Sequence, residues 1–267
     1  MAPGGHVTGS LAGERVCVLS DVHGNVYALE AVLRDVRGLG CDALVVAGDL
    51  AAHGPAPAET VDLLGGLDAL IIRGNTDRYL AEGEGSSPRG RDPDLAASLR
   101  WTRELLGEER LRFLGRLPTS ASVDGCLVVH ASPGDDERGI WPDTPDEEVQ
   151  AHSWQGTLLC GHTHHPFHRD VPGGQVVNAG SVGWPLDGDR RPSYAVLERG
   201  PGGHELPWRV SLRRVDYDRR RPLAELERRR VPWRHVVRHY IETATWRSRM
   251  SLADGPRPGD IQQEGGG

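Results

Sequence analysis

Short runs rich in Val, Leu and Ile punctuate the chain at residues 16–19, 43–47, 69–72, 127–129 and 157–160. Their length and bounding polar clusters predict buried strands. Between the first three lie segments with the period of an amphipathic helix, 26–36 and 58–64. The first starts after Asn25 and stops at Gly38. Strand, helix, strand, helix, strand is the signature of a parallel sheet with crossover helices. A loop rich in Gly, Ser, Pro and Arg (83–93) interrupts this order, as a lid or a mobile connection, and a helical stretch (95–106) follows. From Val171 onward, Gly-Gly turns and short apolar runs such as 176–177 and 194–197 predict antiparallel strands and a second sheet. The pattern over 223–240 is helical but broken at Pro232, and 255–267 reads as a frayed polar tail. The expected organisation is a single α/β domain over 15–250, with an Arg-rich helical extension at about 216–250. Residues 1–14 and 251–267 are expected to be disordered.

Composition narrows the function classes. The chain has 267 residues, 37% hydrophobic and 26% charged, with 35 Gly and 19 Pro, which is a folded composition with generous loops. No apolar run approaches the roughly 20 residues of a membrane helix, and the first residues hold no secretory h-region, so a soluble cytoplasmic protein is expected. Cys17, Cys41, Cys126 and Cys160 are scattered, which argues against a disulfide framework or a thiolate zinc site. The net charge of −7 is uneven: residues 1–207 hold 17 Arg against 30 Asp and Glu, and residues 208–250 hold 13 Arg against 5. That basic stretch admits nucleic-acid binding or an Arg-rich interface between copies. Its interleaved Glu and apolar residues favour an amphipathic helix whose Arg face pairs with the acidic body.

Each predicted strand ends in a polar cluster: Ser20 Asp21 Val22 His23 Gly24 Asn25, Gly48 Asp49, Gly74 Asn75 Thr76 Asp77, His130 Ala131 Ser132, and Gly161 His162 Thr163 His164. Open α/β sheets gather ligands at the carboxyl ends of their strands, so clusters spread over 21–164 converge on one place. The donor set is oxygen and nitrogen without sulfur: Asp21, His23, Asp49, Asn75, His130, His162 and His164. Seven donors exceed one tetrahedral zinc and suit two ions sharing a carboxylate. Two ions roughly 3.5 to 4 Å apart are an arrangement for attack on a phosphoryl centre.

These motifs, in this order, resemble the calcineurin-like metallophosphoesterases over about residues 15–215. GDLAAHGP, HASP, GHTHHPF and NAGSVGWPLDGDRRPSYAVLE resemble the bacterial phosphodiesterase-like branch. The resemblance implies a two-sheet sandwich flanked by helices, with a dinuclear site at the strand carboxyl ends. One metal would be held by Asp21, His23 and His164 and the other by Asn75, His130 and His162, with Asp49 bridging. Asn75 and His130 would also meet substrate. The ions are two divalent metals, Mn²⁺ favoured, with Fe, Ni²⁺ or Zn²⁺ also compatible. The expected activity is hydrolysis of phosphate esters by a metal-bridging hydroxide, a phosphodiesterase before a phosphomonoesterase or nucleotide phosphatase. A non-catalytic scaffold of the same fold is the rival, which the full donor set opposes.

One departure stands out. Many members carry a His directly after the Gly-Asn, where this chain has Thr76, and a hydroxyl is no general acid near neutral pH. His53 and Asp77 are the candidates for that role. His165 and His168 read as rim or surface positions, and Asn25 as a helix cap. Residues 178–182 read equally as a phosphate contact or an ordinary turn.

Overall fold

The computed structural model describes residues 5–9, 13–83, 86–87, 93–151, 154–200 and 208–246. Two sheets stack face to face. The first is five-stranded. At its centre β2 (Arg15–Leu19) lies parallel to β3 (Ala43–Val46), which is parallel to the short β4 (Leu70–Ile71). On the other side β2 is antiparallel to β10 (Ser193–Glu198), which pairs with β11 (Arg209–Arg214). The second sheet runs β1 (His6–Gly9), β5 (Ser120–Val123), β6 (Cys126–Val129), β7 (Gly156–Cys160), β9 (Gly174–Asn178), β8 (Phe167–Val171). Its β6, β7 and β9 are mutually parallel.

Strand periodicity sorts the side chains. Val16 and Val18 face the second sheet and pack with Val45, Val128, Leu159, Val177 and Leu197 in the sandwich core. Cys17 and Leu19 face the other way, under Leu29, Val32, Leu64 and Leu99 of the helices. Those helices are α1 (Val26–Leu39), α2 (Pro57–Gly65), α3 (Asn75–Glu82) and α4 (Pro93–Arg116). The outer face of the second sheet is covered by Ile140 and by Val149 of α5 (Asp146–Gln150).

Several expectations are corrected. α1 passes through Gly38 and stops at Gly40, whose φ of 65° is the left-handed conformation that ends a helix. The stretch expected at 95–106 is longer: α4 turns at Gly107 (φ 64°) and continues to Arg116. The amino-terminal segment expected to be disordered contributes β1, paired in parallel with β5. Cys17 and Cys41 are joined by a disulfide, which their scattered positions did not suggest, while Cys126 and Cys160 are free and buried. Most of the 83–93 loop and all of 251–267 lie outside the described residues. Among the described residues, no helix is long and apolar enough to cross a membrane.

The Arg-rich extension folds as α6 (Arg220–Arg228) and α7 (Arg234–Thr243), broken at Pro232 and Trp233. Leu226, Val237, Tyr240 and Ile241 form a satellite core with Trp184 and Leu186 of the main domain. Arg221 pairs with Glu30 of α1, and Arg229 with Glu59 of α2. Two arginines of the extension thus reach acids of the body, while Arg220 and Arg228 pair with Asp218 and Glu225 of the extension itself and stay exposed.

Candidate functional site

The five strand-end clusters meet above one edge of the sandwich, delivered by β2, β3 and β4 of one sheet and β6 and β7 of the other. Asp21, His23, Asp49, His162 and His164 all have positive φ, between 48° and 67°. For residues with a Cβ that conformation is uncommon and costs on the order of 1–3 kcal/mol each, and such strain clusters at functional sites. Glycines provide the room: a Cβ on Gly74 would strike the Asp49 carboxylate, and one on Gly161 that of Asp21.

The side chains form two groups around Asp49. On one side, Asp21 Oδ1 lies 3.1 Å from His164 Nε2 and 3.8 Å from His23 Nε2, and Asp49 Oδ2 is 3.5 Å from His23 Nε2. On the other side, Asp49 Oδ1 is 3.4 Å from His130 Nε2, which lies 3.1 Å from Asn75 Oδ1 and 3.2 Å from His162 Nδ1. The two oxygens of one carboxylate therefore address different donor sets. All seven expected donors are brought together.

Backbone carbonyls fix the imidazoles. His23, His130 and His164 direct Nδ1 at the carbonyls of Ala52 (3.3 Å), Ala47 (2.7 Å) and Trp184 (2.6 Å). Each Nδ1–H donates there, so each Nε2 faces the cluster. His23 Nε2 and His164 Nε2 are 3.2 Å apart, a distance at which only one can carry a proton. Burial pushes His23 down to about 4, while the Asp21 carboxylate raises His164 against the effect of its burial. His130 is likewise buried, yet Asp49 raises it to about 10. Burial would raise Asp49, but the positive field of His130 holds it well below the usual carboxylate range. The site thus demands positive charge, and Asp21 Oδ1 lies buried against the imidazole nitrogens of His164 and His23. Divalent cations among these oxygens and nitrogens fit that demand.

A cavity of about 590 Å³ opens over the cluster, lined by His23, Asp49, Asn75, His162 and His164 at its base. Thr76 lines it too; its amide donates to Asp49 Oδ1 (3.0 Å) and its buried hydroxyl has no partner. His53 is on the cavity wall, within 2.9 Å of Ser98 Oγ and edge-on to Trp233. Asp77 is not among the residues lining it, which corrects its expected role as a proton donor. Its carboxylate accepts N–H bonds from Asp49 (2.9 Å), Gly74 (3.0 Å) and Leu50 (2.9 Å). Burial, followed by the Asp49 charge, pushes it up to about 7.

The remaining candidates sort by geometry. Asn25 Oδ1 caps α1 by accepting from Ala28 N. Asn178 braces the His162 loop by donating to Gly161 O (2.7 Å) and Thr163 Oγ1 (3.0 Å), and Ser181 Oγ donates to Asp21 O. Residues 178–182 are therefore scaffolding for the donors. His165 is half-buried and tilted against Trp141, and His168 is exposed beside Gln175. The sequence reading missed Trp184, whose carbonyl orients His164 and whose ring lies flat on His23 with centroids 4.0 Å apart. It also missed the link from Asn75 Nδ2 to Tyr79 and Glu137, the latter anchored by Arg78. No local spacing signals them: four of the seven tryptophans line the cavity, but they come from separate segments of the chain.

The calcineurin-like phosphoesterase superfamily domain matches residues 15–200. An uncharacterised protein of Methanocaldococcus jannaschii is 30% identical over 237 residues, 81% of this chain and 93% of that protein. A metallophosphoesterase from Sphaerobacter thermophilus superposes with a TM-score of 0.73 at 28% identity, covering 87% of this chain and 100% of the other. A hypothetical protein from Pyrococcus horikoshii gives a TM-score of 0.73 at 24% identity over 87% and 99% of the two chains. Sandwich, strand-end donors and these likenesses agree, and the chain belongs to the calcineurin-like phosphoesterase superfamily.

Proposed function

We propose that the chain is a dinuclear-metal phosphodiesterase. The observation that carries this reading is Asp49, whose two oxygens face two separate donor sets. Asp21, His23 and His164 would hold one divalent cation and Asn75, His130 and His162 the other, with Asp49 shared between them. Bound there, two such ions, with Mn²⁺ the first to supply, would lower the pKa of water and offset charge on the phosphoryl oxygens.

The chain's own residues do the rest. The carbonyls of Ala47, Ala52 and Trp184 aim the imidazoles, and Asp77 pins the backbone of Asp49 and Gly74. Asn75 is turned by Tyr79 and Glu137 so that Oδ1 faces His130. His53, on the cavity wall, is the side chain proposed to hand a proton to the departing oxygen. The cavity lining sets Asp135, Glu137, Asp143 and Glu148 against Arg138. That charge balance favours the singly charged phosphodiester over the monoester dianion.

The test is turnover of bis(p-nitrophenyl) phosphate and p-nitrophenyl phosphate by metal-stripped protein given Mn²⁺, Ni²⁺ or Zn²⁺. The diester is expected to have the higher kcat/KM, with no turnover before metal is added. A preference for the monoester contradicts the diester assignment, and equal rates without metal contradict the dinuclear one.

A further inference from the structure

Two unlike walls rise from the donor cluster. One is aromatic: Trp184, Trp233, Tyr240 and Trp246. Trp184 sits edge-on to Trp233 (centroids 6.2 Å, 61°) and tilted to Tyr240 (5.4 Å, 47°), and Tyr240 meets Trp246 edge-on (5.8 Å, 79°). Trp233, Tyr240 and Trp246 belong to α7 and its flanks, outside the residues 15–200 that match the superfamily domain. The α6–α7 extension therefore furnishes most of a wall for a site built by the core. Trp233 reaches it through a left-handed turn (φ 67°) at the helix break.

Trp184 and Trp246 line the cavity with apolar ring surface, their indole Nε1–H groups being buried away from it. The opposite wall carries Asp135, Glu137, Asp143 and Glu148, with Arg138 paired to Glu148 at 2.6 Å. Carboxylates accept N–H bonds. A ligand suited to both walls has a flat π face and an amino group. A nucleobase with an exocyclic amine has both, and it stacks on aromatic side chains.

We propose that the aromatic wall is a nucleobase subsite, making the substrate a phosphodiester of a single nucleoside. Its phosphate lies over the Asp49 cluster and its base lies against Trp233 and Trp246. The inference rests on the phosphodiesterase reading above and adds the class of its organic group.

The experiment compares adenosine 5′-(methyl phosphate) with ribose 5-(methyl phosphate), the same bond with and without a base, on the Mn²⁺-loaded chain. Stacking of one base is expected to raise kcat/KM about tenfold or more. The ratio of the two values falls toward unity in Trp246→Leu and stays well above it in Trp246→Phe, which keeps an aromatic ring to stack on. Equal kcat/KM for the two esters in the wild-type chain overturns the subsite. If neither ester is hydrolysed, the phosphodiesterase reading fails by itself and binding decides the subsite. Titration with adenosine 5′-monophosphate and ribose 5-phosphate, followed by tryptophan fluorescence, should show about tenfold tighter binding of the nucleotide, lost in Trp246→Leu. Equal affinities would overturn the proposal.

Discussion

Asp77→Asn separates two roles for a residue that the spacing of Gly74, Asn75 and Asp77 placed in the chemistry and the structure places beneath it. The carboxylate accepts three backbone N–H bonds, Oδ2 from Asp49 and Gly74 and Oδ1 from Leu50. An amide in either orientation turns its NH₂ toward at least one of these donors. One charge-assisted bond is lost, worth about 1.5–3 kcal/mol, and the buried N–H facing the amide costs about 1–3 kcal/mol more. Because relaxation recovers part of this, and the neutral amide also removes a charge that burial and the Asp49 carboxylate disfavour, the expected destabilisation is about 3 kcal/mol. At roughly 2–4 °C per kcal/mol for a chain of this size, Tm falls by about 6–12 °C. The released backbone carries Asp49 and leads into Asn75, so kcat/KM at 25 °C should fall about 10- to 100-fold, as when an outer partner of a metal ligand is removed. Both are measured at pH 8, above the value of about 7 to which Asp77 is raised. A positioning role predicts the same fractional loss for good and poor leaving groups. An unchanged Tm, with a loss confined to poor leaving groups, would refute this reasoning and restore Asp77 as a proton donor.

Three further expectations follow from particular contacts. In a leaving-group series His53→Ala should steepen the dependence of kcat/KM on leaving-group pKa, and Thr76→His should raise turnover of poor leaving groups by about 10²- to 10⁴-fold; an unchanged slope in His53→Ala excludes that histidine as the acid. Arg228 first, and then Arg229, hold Glu225 at about 2 against an ordinary 4.5, over the opposing effect of its burial. A depressed carboxylate stabilises the fold above its ordinary value and loses that contribution as pH falls from 4.5 toward 2. Urea unfolding of Glu225→Gln should therefore show a deficit of about 1 kcal/mol at pH 7, after allowance for solvent screening, that vanishes near pH 2. An equal deficit at both pH values would contradict the ion-pair account. Finally, since Arg221 and Arg229 are spent on Glu30 and Glu59, single- and double-stranded nucleic acid should not bind at micromolar concentration. Salt-sensitive binding abolished by replacing Arg228, Arg229 and Arg230 would show otherwise.

The strand-end donors were legible because their chemistry is local: each apolar run stops and the next polar residues are metal-capable. Their convergence follows from strand direction alone, although they come from two sheets. β1 and β5 were missed because His6–Gly9 and Ser120–Val123 are short and carry polar residues, and only pairing with each other and with β6 makes them strands. The Cys17–Cys41 pairing was illegible because it depends on β2 and β3 lying side by side in parallel register, Cys17 opposite Leu44. Asp77 misled because spacing tells where a side chain begins and not which N–H groups claim it. The aromatic wall was hidden for the opposite reason: Trp184 and Trp246 lie 62 residues apart, and only the docking of α7 brings them to one cavity.

The central claim is that one carboxylate serves two metal sites. Metal-stripped protein, titrated with Mn²⁺ and checked by elemental analysis after gel filtration, should take up two ions per chain. Asp49→Asn, an amide that cannot balance two cations, should lose both high-affinity binding and phosphoester turnover. A wild-type chain that holds one ion or only traces, or an Asp49→Asn variant that keeps two ions and its activity, would contradict the account.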